Sequence, residues 1–222
     1  DYTFCCSSCW GSGLFLSSPA VDIVGVLPRM RAWYSFNNDD ATDSSGNAMD
    51  GVWEGTEAYG AGRFGRAAVF NGASRIVVDA FKNFNWGTDF TLSLWFNRAG
   101  CDGNYQGIVN TGYHASGAWE VRMGREGGCT ALGGGVVTDS HGATWDSLGV
   151  SQGGTVPDAA TDTWHHVVLT YDGATVNFFV DNANQGLSTE DTGSIVQVDV
   201  ALYIGHAGPP KTNEYFTGTV DE

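Results

Sequence analysis

Basic side chains are scarce: ten Lys and Arg stand against 25 Asp and Glu in 222 residues, a formal net charge of −15. Phosphate binding rests on Lys and Arg, so a nucleic-acid partner is not expected. No run of about 18 apolar residues occurs, and nothing reads as a membrane-spanning helix. The first residue is not Met and no basic n-region follows it, so residue 1 does not read as the start of a signal peptide. There is no Asn-x-Ser/Thr sequon, and N-glycosylation is not predicted. Helical hydrophobic periodicity is missing as well, as are internal repeats and low-complexity tracts. Catalytic patterns are equally thin. The glutamates show no close pairing of the kind a retaining glycosidase needs, and no nucleophile-elbow context supports Ser-His-Asp chemistry. An enzyme is not expected.

What is present is apolar and glycine-rich. Apolar residues make up 42% of the chain, with eight Trp and 32 Gly, enough for a packed core joined by tight turns. At this length one large all-β domain with an appendage is expected. The acidic, Lys-poor composition fits an extracellular or calcium-rich setting. From Arg31 short strands and turns alternate. "AWYSF" reads as a strand, "RAAVFNGASRIVVDA" as a hairpin around Asn71-Gly72, and "TWHHVVLTYDGATVNFFVDNANQG" as two reversals, at Asp172-Gly173 and near Asn182. In "DFTLSLWFNR" the period of two puts Phe90, Leu92, Leu94 and Phe96 on one face, with Thr91, Ser93 and Trp95 on the other. Strands at this spacing predict a two-sheet antiparallel sandwich over residues 31–222.

Residues 1–30 differ and read as an extended N-terminal arm. Val21, Ile23, Val24 and Val26 favour a strand, and the flanking Pro19 and Pro28 isolate it. At the other end "EYFTGTVDE" reads as a strand that stops at Glu222 without a turn, leaving part of a sheet unpaired. Five cysteines are an odd number. Cys101 and Cys129 flank a segment of strands and glycines and are expected to bridge in a secreted protein. Cys5, Cys6 and Cys9 crowd together in "CCSSC". They could supply a second or intermolecular disulfide with one thiol left over. A zinc site is the other reading, although no nearby His completes four ligands.

The phrases "AWYSFNNDDATDSSGNAMDG", "FGRAAVFNGASRIVVD", "DTWHHVVLTYDGATVNFFVDNANQG" and "YFTGTVDE", in that order, resemble laminin-G-like, concanavalin-A-like domains of secreted and surface proteins. The resemblance implies a jelly roll of two curved sheets and often a calcium ion. It also implies that the D-x-S-G loop and the terminal D-E lie near one another, which makes Asp43 and Asp221 the first candidate calcium ligands. Asn37 and Asp39 in the same Asx-rich loop add oxygens of the type that hard cations take. Against this stands an ordinary Asx turn capping its own backbone.

Glu120, beside Trp119 and Arg122, is the best lone carboxylate for chemistry, and reads as a solvated strand residue near Arg122. His165 and His166 point to opposite faces, one packed inside or hydrogen-bonded, so they do not share a metal. Trp53, Tyr59, Tyr105, Tyr113, Trp119 and Trp145 lie in or beside polar, glycine-rich stretches where a sugar could stack. The expected function is therefore a non-catalytic extracellular structural or adhesive protein that self-associates, the 21–26 strand completing a neighbour's sheet. The alternative is a calcium-supported, carbohydrate-binding module.

Overall fold

The computed structural model describes residues 30–100, 102–112, 117–124, 132–138, 162–189, 192–195 and 199–222. The arm segment at Val21, Ile23, Val24 and Val26, all five cysteines, Tyr113 and Trp145 lie outside the described residues.

Among the described residues thirteen strands form two antiparallel sheets, as a jelly-roll sandwich requires. The six-stranded sheet runs β1 (Val52–Glu54), β4 (Arg75–Val78), β12 (Leu202–Ile204), β6 (Gln106–Asn110), β7 (Trp119–Met123), β8 (Leu132–Val136). The seven-stranded sheet runs β11 (Ala183–Ser188), β10 (Val176–Val180), β9 (Trp164–Tyr171), β5 (Phe90–Arg98), β13 (Thr217–Asp221), β3 (Arg66–Asn71), β2 (Tyr59–Ala61).

Alternation decides which side chains meet between the sheets. Leu94 and Phe96 of β5, Val167 and Leu169 of β9 and Phe178 of β10 point inward from one sheet. Ile76, Ile108, Trp119, Val121 and Met123 meet them from the other. The faces predicted for β5 are those observed, with Phe90 and Leu92 packed against the same core. The β9–β10–β11 reversals also fall where the sequence places them, with Asp172 Oδ1 accepting the N–H groups of Ala174 and Thr175 at the first.

Three local expectations are corrected. Residues 32–36 are not a strand: their backbone is engaged by the loop that follows. Trp33 N–H donates to Asp43 Oδ1 at 2.9 Å, the Trp33 carbonyl accepts from Ser44, and Phe36 sits at φ 52°. The chain through Asn71-Gly72 is not a hairpin either. β3 pairs with β2 and β13, whereas β4 pairs with β1 and β12, so the turn arches from one sheet to the other. Both strands bury an apolar face, and each meets the shared core from its own side.

The third correction concerns the strand expected to stand open. β13 is internal, with Gly218, Thr219 and Val220 paired both to β3 and to β5. A surplus strand is not needed to cover it. Among the described residues the strands that end their sheets are β1, β8, β2 and β11.

Candidate functional site

Each sheet carries an exception on the face turned away from the core. On the six-stranded sheet the exception is buried charge. Glu120 and Arg122, two apart on β7, share the outer face, and Arg122 Nε donates to Glu120 Oε1 at 3.0 Å. Asn110, opposite Glu120 on β6, donates to Oε2 at 2.7 Å. The Arg122 guanidinium lies 4.4 Å from the Tyr105 ring centre. Residues 205–216 lie across this face: Gly107 and Ala207 N–H both donate to the Glu214 carbonyl. The Glu214 carboxylate pairs with Lys211 at 2.8 Å. Glu120 is therefore only 2% exposed rather than solvated. Burial pushes its carboxyl up to about 7; Arg122 pulls the other way, and Glu214 adds to the upward push. Desolvation outweighs the ion pair.

On the seven-stranded sheet the exception is aromatic. Trp95 of β5 faces His166 of β9 across the strands, with ring centres 4.8 Å apart and nearly parallel planes. His166 also shares a hydrogen bond with Ser93 Oγ at 2.9 Å. Phe64, from the β2–β3 turn, meets Trp95 edge-on at 5.8 Å. The Arg63 guanidinium lies over both rings, 5.0 Å from Phe64 and 4.9 Å from Trp95. Phe64, Trp95 and His166 are half-buried and Arg63 is exposed. His165 points inward instead, hydrogen-bonded to Asp181 at 2.8 Å, so the two histidines occupy opposite faces as their spacing implies.

The turn that presents Arg63 and Phe64 is held from below. Gly62 N–H donates to the Gly65 carbonyl, and Phe64 N–H to Asp221 Oδ2 at 2.8 Å. Arg66 N–H donates to Asn37 Oδ1 at 2.9 Å, and Arg66 Nε to Asp39 Oδ1 at 2.6 Å. A Cβ on Gly62 would stand 2.6 Å from Asp221 Oδ2, and one on Gly65 would run into Asn37 Oδ1. Three of the four residues expected as metal ligands thus gather round one turn.

Asp43, the fourth, belongs to a separate nest. Its Oδ1 accepts from Trp33 and Ser45 N–H, and its Oδ2 from Ser45 Oγ and Met49 N–H. A carboxylate offers about four acceptor positions; those of Asp43 are filled by its own loop. Despite its burial, these donors hold its carboxyl below the usual range. Asp221 differs. It is fully buried, Oδ1 has no hydrogen-bond partner, and burial pushes the carboxyl up to about 6, with the Phe64 N–H opposing. Among the described residues no three His, Cys, Asp or Glu side chains cluster as a metal site.

Of the aromatics singled out in the sequence, Trp119 is core, while Trp53 and Tyr59 pack edge-to-face at 5.8 Å beside it. Tyr105 lies under Arg122. Sequence reasoning missed Arg63 and Phe64. Their only signal is "AGRFGR", an Arg-Phe pair between two turn glycines. Trp95 was legible as an outward residue.

The architecture is that of a two-sheet jelly roll, with one outer face closed over charge and the other open and aromatic. The chain belongs to the concanavalin A-like lectin/glucanases superfamily, whose model matches residues 70–222. No curated protein matches it. Among solved structures it is similar to domain 4 of AbnA, an extracellular GH43 arabinanase from Geobacillus stearothermophilus, solved with arabinotriose. That match has a TM-score of 0.65 and 22% identity over 86% of this chain and 88% of that one. Trypanosoma rangeli sialidase in complex with sialic acid matches at 0.54 and 15%, over 86% of this chain and 29% of that one. Mouse laminin alpha1 domains LG4-5 match at 0.51 and 15%, over 69% and 39%. At these identities the likeness is one of fold, which serves many functions. No helix among the described residues is long and apolar enough to cross a membrane.

Proposed function

We propose that this protein is a non-catalytic, extracellular carbohydrate-binding module that holds its ligand on the outer face of the seven-stranded sheet. The observation that carries this reading is the half-exposed Phe64–Trp95–His166 row with Arg63 laid over it. Aromatic rings offer apolar faces to sugar C–H groups, and a few polar groups beside them fix orientation. Ser93 and Asn97 flank Trp95 along β5, and Thr219 lies opposite Asn97 on β13. The arabinotriose held by the AbnA domain is consistent with sugar binding on this fold. A non-catalytic role is supported by Glu120, whose two oxygens are taken by Arg122 and Asn110 on the other sheet.

Calcium enters this reading through Asp221. Its buried, unpartnered oxygen suits a hard cation, with Asn37 and Asp39 close at hand around the same turn, whereas Asp43 has no acceptor position left. A cation there would fix the turn that carries Arg63 and Phe64. Self-association by donation of the 21–26 segment would use, among the described residues, the edges of β1, β2, β8 or β11 as acceptors, because β13 is paired on both sides.

The test is a glycan array with the full chain, with and without calcium, beside Trp95→Ala. Binding that is lost in the variant supports the reading; an array blank for the wild type under both conditions overturns it. Calcium at a hundredfold excess over its Kd should stabilise folding by roughly 2.7 kcal/mol, seen as a rise in Tm that Asp221→Asn removes.

A further inference from the structure

We propose that Arg63 receives the carboxylate of an acidic sugar, a uronic- or sialic-type residue whose ring lies along the Phe64–Trp95 row. This rests on the reading of that face as a sugar platform and names the chemistry it selects.

The first observation is that Arg63 is spare. Of the eight Lys and Arg side chains among the described residues, Arg66, Arg75, Lys82, Arg122 and Lys211 each pair with a carboxylate. Arg31 is likewise exposed without an acidic partner among the described residues, but it lies near one ring only, Phe84 at 6.0 Å, whereas Arg63 lies over two. The Arg63 side chain contacts the faces of Phe64 and Trp95 and forms no ion pair among the described residues. A cation–π contact uses none of the guanidinium donors in a hydrogen bond to oxygen, so the N–H fork remains for a ligand. That fork matches a carboxylate with two parallel hydrogen bonds, whereas an ammonium acts as a point charge.

The second observation is that the turn carrying Arg63 is held before any ligand arrives. The turn is closed by Gly62 and Gly65, tied to Asp221 through Phe64 N–H and to Asn37 through Arg66 N–H. Less ordering entropy is then lost on binding.

The third is charge on the larger scale. At −15 the molecule as a whole repels a polyanionic chain. A single carboxylate on a stacked sugar gains the local fork with little of that repulsion. The fork alone would serve phosphate too; the adjoining ring row is what favours a sugar.

The experiment is titration calorimetry of the full chain with sialyl- and glucuronyl-terminated oligosaccharides, each beside its counterpart with the carboxyl reduced to hydroxymethyl. An acid form bound at least about tenfold tighter than its reduced form is the expected result, and the two series separate the sialic from the uronic source. Arg63→Gln should erase the preference, Arg63→Lys should retain only part of it, and Arg31→Gln, an exposed arginine near Phe84, should leave it unchanged. Acid and reduced forms bound equally, with Trp95→Ala still abolishing both, overturn the role of Arg63 while the sugar platform stands. Wild-type protein that binds none of these sugars, and none on an array, removes both. A preference that survives Arg63→Gln places the carboxylate elsewhere and overturns the proposal.

Discussion

The two outer faces of the sandwich depart from simple alternation in opposite ways. On the six-stranded sheet, charged residues that a period of two assigns to solvent are buried beneath residues 205–216. On the seven-stranded sheet, aromatic residues that would suit a core stand half in solvent. The difference teaches where chemistry is available. Glu120 has a raised pKa but its oxygens are spoken for, so its perturbation reflects burial within a structural network. Arg63 is exposed and Trp95 half-exposed, and both are accessible. A perturbed pKa identifies a functional site only together with access.

The largest expected effect comes from opening the closed face. Glu120→Ala leaves Arg122 buried without its carboxylate and should cost about 3–5 kcal/mol, read as a fall in Tm of the order of 10 °C in thermal unfolding. Glu120→Gln, which keeps the hydrogen bond from Asn110, should cost less. If both variants unfold like the wild type, the network is not structural.

The pH dependence sharpens the same point. The folded-state pKa of Glu120, about 7, lies above the 4.5 of an unfolded glutamate. Between those values the folded state binds the proton more tightly, so this group favours folding most below about pH 4.5. Its contribution is lost as pH rises through 7, a change of no more than about 3 kcal/mol. Asp221, raised to about 6, acts in the same direction, whereas Asp43, held low, acts oppositely at more acid pH. Subtracting the denaturation profile of Glu120→Gln from that of the wild type isolates the Glu120 component. A flat difference across pH 5–7 removes it.

Next in size is the cover itself. A Cβ on Gly107 would run into the backbone of His206 and Ala207. Gly107→Ala should therefore cost about 1–3 kcal/mol and raise hydrogen exchange at the Ala207 amide. On the open face Trp95→Ala should cost only about 1 kcal/mol, the worth of a cross-strand pair and a cation–π contact, while removing sugar binding. That contrast, stability lost on one face and binding on the other, is the sharpest test of the comparison. The smallest effect belongs to Arg66→Gln, whose pair with Asp39 is about half exposed and should barely move the midpoint of urea unfolding.

How much of this was legible depended on the range of each interaction. The strands of β5, β9 and β10 could be read because their period of two and the Asp172-Gly173 turn are local. The inward set of β5 and the outward position of Trp95 followed from the same rule. Residues 32–36 misled because their β-like composition competes with Asp43, whose four accepted hydrogen bonds are recorded nowhere in local propensity. Asn71-Gly72 reads as a hairpin turn in any sequence; only the partners of β3 and β4 show that it bridges two sheets.

By itself, the sequence determined the all-β class, the repulsion of polyanions and the alternation that builds one core, because each depends on composition or on neighbours two residues apart. Tertiary structure alone decided that β13 is enclosed, that Asn37, Asp39 and Asp221 meet at the Arg63 turn, and that Glu120 is covered. Those contacts join residues as far as 157 positions apart, and which distant strands pair is settled by the packing of two sheets on a shared core rather than by any local pattern.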